Sequence, residues 1–310
     1  MAGTMTFPAL LPNFIAEWRL SNTAAGWING VFYGGYAVAV AVLVSLTDRV
    51  DPRRIYLAST MLAGGAALLF GLFATGFWSA LCLRALAGVG LAGTYMPGLR
   101  ILSDRVSGPR ATRYLSFYTA SFAIGSSASV MAAGLLADWL GWRWAFGLSA
   151  LGAVAALAIA AWAAAPSAPA PRRAEAAALL DFRPVFRNRA AMGYVLGYAA
   201  HSWELFGFRS WLVAFLVVAA GLPAGANLSP ITWVATAILL LGVPASILGN
   251  EAALRFGRRR ALTTIMLASA AIACVVGFLP GLPFALIAVL LATYGVLVMA
   301  DSASLTVGAV

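Results

Sequence analysis

Residues 47–54 read TDRVDPRR, and residues 254–260 read LRFGRRR. Set against each other without gaps, Arg49 falls on Arg255, Arg53 on Arg259 and Arg54 on Arg260. Each basic stretch closes one long apolar run and opens another. The same arginine spacing in the same setting, on either side of a polar segment, points to two related halves.

The surroundings of these stretches set the fold class. The 310-residue chain is 62% hydrophobic and 10% charged. Soluble domains hold about 45–50% apolar and about 25% charged residues. The apolar runs here reach the ~20 residues that a bilayer-crossing helix needs. The composition therefore predicts an all-α polytopic membrane protein. The net charge of +10 comes from arginine alone, since the chain has no lysine. The arginines sit in short turns, which fits a positive-inside bias and not a nucleic-acid partner. Arginine without lysine, with heavy use of alanine and glycine, suggests a GC-rich bacterial genome and hence an inner membrane. Cys82 and Cys274 lie in apolar runs without metal-ligand spacing and read as plain buried residues. No cofactor or metal is expected.

Glycine, proline and arginine punctuation divides the chain into spans. Spans 2 to 6 are expected at 24–46, 55–73, 77–102, 114–136 and 142–164. A polar linker follows at 165–189, and spans 7 to 10 at 190–220, 231–254, 261–279 and 284–305. Residues 1–16 are apolar but reach only about 24 Å as a helix, short of the ~30 Å hydrocarbon core. They read as the outer part of a first span. The expected organisation is an N-terminal half at 1–164, the linker, and a C-terminal half at 190–310 with spans 7 to 10 only. Two equal six-span halves would place spans 11 and 12 outside this chain. Fifteen of the 20 arginines fall in the linker and in the turns after spans 2, 4 and 8, whereas the opposite turns hold only Arg19 and Arg143. That asymmetry places the linker and the arginine-rich turns in the cytoplasm.

The sequence resembles the major facilitator superfamily of secondary transporters. TDRVDPRR is similar to the family's loop signature G-x-x-x-D-R-x-G-R-R through Asp48, Arg49 and Arg53, with Val44 in place of the first glycine and Asp51-Pro52 in place of Gly-Arg. RALAGVG resembles the span 4 pattern R-x-x-x-G-x-G through Arg84, Gly88 and Gly90. GLLADWLGWRWAF, residues 134–146, resembles the join of spans 5 and 6. The second loop keeps Arg255, Gly257, Arg258 and Arg259, with Leu254 where the aspartate would stand. The resemblance covers essentially the whole chain. It implies a two-half helical bundle that works by alternating access on a small-molecule substrate held near the bilayer midplane between the halves, often with a coupled proton or other ion.

Ionisable residues inside spans are candidates for that work, because burying them in lipid costs several kcal/mol or more unless they are partnered. Arg84 lies seven residues into span 4. The stretch AHSWELFGFRSW, residues 200–211, puts His201 and Glu204 near the middle of span 7 on one face. Tyr194 and Tyr198 continue the histidine stripe. The pair is expected to bind substrate or carry a proton; a structural hydrogen-bonded pair is the alternative. Arg209, nearer the end of the span, reads as an interfacial anchor. Asp301 in span 10 reads as a gating partner for a loop arginine or as a cation ligand. Tyr95 joins Arg84, His201, Glu204 and Tyr198 as a candidate of the pathway. Asp48, Arg49, Arg53, Arg255, Arg258 and Arg259 are the candidate gating residues. Gly30, Gly34, Gly88, Gly90, Gly93 and Gly125 are expected to permit close helix approach. Ser126, Ser127 and Ser129 are expected to bond carbonyls of their own helix.

These readings favour a proton- or ion-coupled symporter, with the excess of cationic groups in the spans leaning toward an organic or inorganic anion. A drug or metabolite exporter of the same fold is the alternative, though span 5 lacks the proline of the exporter signature G-x-x-x-G-P. A non-transporting membrane fragment is the alternative of another class. A membrane enzyme is not expected, because the chain offers one histidine and neither an H-E-x-x-H nor a G-x-S-x-G motif.

Overall fold

Asp51 and Pro52, the two residues that depart from the loop signature, build a helix start. The Asp51 carboxylate accepts the backbone N–H of Arg53 at 2.9 Å, and Pro52 takes the first helical position, where no donor is needed. The computed structural model describes residues 3–106, 111–166 and 183–309. Among them every regular element is an α-helix. In the first part these are α1 (Thr6–Ala9), α2 (Leu11–Glu17), α3 (Asn22–Leu46), α4 (Pro52–Phe73), α5 (Phe77–Ser103), α6 (Ala111–Leu140) and α7 (Trp142–Ala163). Then come α8 (Arg183–Arg187), α9 (Arg189–Ala219), α10 (Ser229–Leu240), α11 (Gly242–Phe256), α12 (Arg258–Val276), α13 (Phe284–Ala300) and α14 (Ser302–Ala309). Nine helical segments among the described residues are long and apolar enough to cross a bilayer. The protein is therefore an all-α, multi-pass membrane protein. The expected linker falls mostly outside the described residues.

Two expected spans are each built from two helices. The span expected at 231–254 breaks at Leu241 into α10 and α11. Pro244 has no N–H to offer the carbonyl of Leu240, so the ladder opens one turn before it. The span expected at 284–305 breaks at Asp301 into α13 and α14. No proline or glycine lies there; the local feature is an Asp301 side chain drawn to another helix. At the N-terminus, Pro12 likewise separates α1 from α2 at Leu10.

The chain divides into two units, Met1–Asp181 and Phe182–Val310. In the first, α5 packs on α3 and α4, α4 packs on α7, and α1 packs on α6. Large apolar residues of α1, α2 and their junction are fully buried: Phe7, Leu10, Leu11 and Phe14 are all 0% exposed. Phe14 stacks on Phe7 at 5.0 Å between ring centres and meets the edge of Trp142 at 5.1 Å, while Phe70 stacks on Phe146 at 4.1 Å. The Trp142 indole N–H donates to the Glu17 carboxylate at 2.7 Å. In the second unit, α13 packs on α9, α11 and α12, and α14 on α9 and α11.

Glycines set the closest crossings. A Cβ at Gly88 would strike the carbonyl of Phe32, one at Gly90 the backbone of Ala63, and one at Gly93 the side chain of Ser59. Gly30 and Gly34 have open space instead; their neighbour Gly35, unmarked in the sequence reading, meets the carbonyl of Ala85. On a helix only one face meets its neighbour, and the pattern of three glycines did not say which. Cys82 and Cys274 are exposed, not buried. A helix in lipid turns apolar residues outward as readily as inward, because the surroundings are apolar on both sides.

Candidate functional site

Two constellations of buried polar groups stand out, one in each unit. In the first, Arg84 lies on α5 and is 2% exposed. Its guanidinium carbon sits 4.1 Å from the centre of the Phe32 ring of α3 and 5.2 Å from that of Phe7 of α1. The aromatic faces satisfy the flat sides of the cation but leave its edge. Nε and Nη2 donate to no acceptor among the described residues. A buried cation with free donors is costly and calls for an anionic or carbonyl partner. Arg84 lines a cavity of about 200 Å³ within the unit, together with Tyr56 and Thr60 of α4, Tyr95 of α5, and Tyr118 and Ser121 of α6. Tyr118 donates its hydroxyl to the carbonyl of Tyr95 at 2.8 Å, and their rings lie 5.7 Å apart. The structure thus brings Arg84 and Tyr95 to one cavity. Phe7 and Phe32, which clamp the guanidinium, carry no distinguishing signal in an apolar sequence.

In the second unit, His201 of α9 is 1% exposed and Asp301, at the α13–α14 break, is 2% exposed. The imidazole Nδ1 lies 2.7 Å from the Asp301 carboxylate. Asp301, expected to meet a loop arginine or a cation, here meets His201. This contact also separates His201 from Glu204. Those two share a helix face, but the Glu204 carboxylate accepts the hydroxyl of Ser269 from α12, and Tyr294 of α13 lies within hydrogen-bonding reach of it. Ser269 is 1% exposed. Tyr198 packs against His201 with ring centres 5.5 Å apart. Arg209 is 6% exposed and places Nη2 3.9 Å from the sulfur of Met299, two residues from Asp301. It is a buried residue and not the interfacial anchor expected from its place near the end of the span. Beside Asp301, α11 approaches closely: a Cβ at Gly249 would strike the carbonyl of Ala300, and the Ser304 hydroxyl donates to the Asn250 side chain at 3.3 Å.

The loop candidates divide by unit. Asp48 accepts from Arg100 Nη1 at 2.5 Å, which also donates to the hydroxyl of Thr47 at 3.0 Å. Arg53 donates to the carbonyl of Ala161 near the end of α7 at 3.0 Å, and Arg105 to that of Ala165. Arg49 is exposed. Arg255 lies over the ring of Phe256 at 5.5 Å, and Arg258 and Arg259 stand in the first turn of α12. Of the α6 serines, Ser127 bonds the carbonyl of Ala123 at 2.9 Å as expected, whereas Ser129 instead accepts the backbone N–H of Met5 at 3.2 Å. No group of three or more histidine, cysteine or acidic residues placed to hold a metal occurs among the described residues.

The sequence matches the family model described as Major Facilitator Superfamily over residues 1–309. No curated protein matches it significantly. The fold is similar to that of a bacterial homologue of the human lysosomal transporter Spinster, inward-facing and unoccupied, with a TM-score of 0.79 at 16% identity over 99% of this chain and 71% of that one. The occupied form of that homologue gives 0.76 at 16% identity, covering 97% and 70%. A nucleoside transporter, NupG, in a point-mutant form gives 0.68 at 12% identity, covering 99% and 85%.

Proposed function

The chain belongs to the major facilitator superfamily, and from that premise we propose that it is a proton-coupled symporter of a small organic or inorganic anion, working by alternating access. The observation that carries the coupling is the buried His201–Asp301 contact at 2.7 Å. An imidazole and a carboxylate that share one proton can take up a second and later release it, so the pair changes by one unit of charge as it cycles. Both residues are almost fully buried, so that change is felt strongly by whatever packs around them. Tyr198 of α9 packs against His201, and both Asp301 and Arg209 act electrostatically on Tyr198.

Arg84 supports the anionic substrate. Its unpartnered Nε and Nη2 suit a carboxylate or phosphate oxygen, and the hydroxyls of Tyr56, Tyr95 and Tyr118 around the same cavity suit the polar groups of a small solute. The arginine distribution supports an inner-membrane protein with its linker and basic turns in the cytoplasm. Asp48, Arg49, Arg53, Arg255, Arg258 and Arg259 then serve as gate residues at that surface.

The test is a panel of small carboxylates, phosphate and sulfate offered to proteoliposomes loaded with a pH-reporting dye. At least one anion is expected to acidify the lumen as it enters, and Arg84→Ala is expected to weaken the response at least tenfold. An anion that moves with no proton signal would overturn the coupling, and no movement of any anion would overturn the substrate class.

A further inference from the structure

The turn from α11 to α12 concentrates Arg255, Arg258, Arg259 and Arg260 in six residues. None of their guanidinium groups forms an ion pair among the described residues. Glu251, one helical turn before Arg255, is exposed and forms none with it, and the first turn of α12 has no acidic residue. Among the described residues four like charges therefore stand together without a paired counter-charge, which is unfavourable unless a partner supplies one. The matching turn of the first unit shows what is missing. There Asp48 is held by Arg100, Asp51 caps α4, and Arg53 bonds the carbonyl of Ala161. In the second unit Leu254 replaces Asp48 and Gly257 replaces Asp51, so both carboxylates are gone. Gly257 has φ +87, a conformation that glycine adopts freely, and the chain reverses there from one span to the next.

Beside the arginines, Leu254 is 67% exposed and Phe256 64% exposed. Cations and large apolar side chains are thus presented together at the joint end of two membrane-crossing segments, Ser229–Phe256 and Arg258–Val276. We propose that this turn is a binding site for an anionic phospholipid, with the lipid phosphate on the arginines and its acyl chains along Leu254 and Phe256. A soluble phosphate would answer the charge but leave the two apolar side chains in water. Basic residues beside a membrane surface attract anionic lipid by an amount that corresponds to about a fivefold change in binding for each arginine.

The full chain, purified and delipidated in detergent, is titrated with phosphatidylglycerol or phosphatidylcholine and the bound lipid is counted by native mass spectrometry. Phosphatidylglycerol is expected to bind at least tenfold more tightly. Joint replacement of Arg255, Arg258, Arg259 and Arg260 by glutamine is expected to abolish that preference, and joint replacement by lysine, which keeps the charge and reports on folding, to retain most of it. Glutamine at four exposed arginines elsewhere, Arg19, Arg54, Arg187 and Arg189, is expected to change it by less than twofold. Equal losses in the two glutamine variants would show a response to net charge alone and overturn the site. Displacement of phosphatidylglycerol by equimolar inorganic phosphate would identify a free-phosphate site and overturn the lipid. Neither result bears on whether the protein is a symporter.

Discussion

His201 Nδ1 and the Asp301 carboxylate lie 2.7 Å apart, and both residues are almost fully buried. Removing one member of a buried ion pair typically costs about 3–5 kcal/mol, whereas replacing both with apolar groups costs far less or nothing. Thermal unfolding in detergent is therefore expected to show a large loss for Asp301→Leu and for His201→Leu, and a smaller loss for the double variant than for the sum. Additive losses would mean that the two do not act as a pair. His201 stands out in the sequence, because a lone histidine inside an apolar run is conspicuous. The sequence did not show the partner. Helical spacing relates residues on one helix, which made Glu204 the natural choice, while Asp301 comes from a helix far along the chain. Arg84 was legible for the same reason as His201, and its two aromatic clamps were hidden for the same reason as Asp301.

Among the helices, the crossings depend on particular glycines and not on glycine content. Gly88→Ala puts a methyl group against the carbonyl of Phe32, where backbone cannot yield cheaply; overpacking of this kind costs about 1–3 kcal/mol. Gly30→Ala meets nothing within 4 Å and is expected to be neutral or to gain from the better helix propensity of alanine, by up to ~1 kcal/mol. Melting temperatures of the two variants in the same detergent check this, and a loss at Gly30 equal to that at Gly88 would contradict it. Helix existence was readable from apolar length and punctuation. The break at Leu241 follows from Pro244, yet proline alone does not mark a stop, because it is common enough in membrane helices to be absorbed. The break at Asp301 had no local signal.

At the scale of the whole molecule, the repeated arginine spacing, the nine segments among the described residues that are long and apolar enough to cross a bilayer, and the family match agree on one fold class. Periodic features of that size survive in sequence because lipid imposes them on every span. The proposed function at this scale is the linking of a proton to a solute, and Asp301→Asn separates the two most directly, since asparagine keeps the shape of aspartate and one acceptor oxygen but carries no carboxylate to take up a proton. Once the panel has identified an anion that moves, its counterflow and its proton-driven accumulation are measured side by side in proteoliposomes. Counterflow needs only the binding site and the conformational cycle; accumulation also needs the proton. The account predicts that Asp301→Asn retains counterflow within a few-fold of the native protein and loses accumulation. Accumulation at native levels in this variant would contradict it.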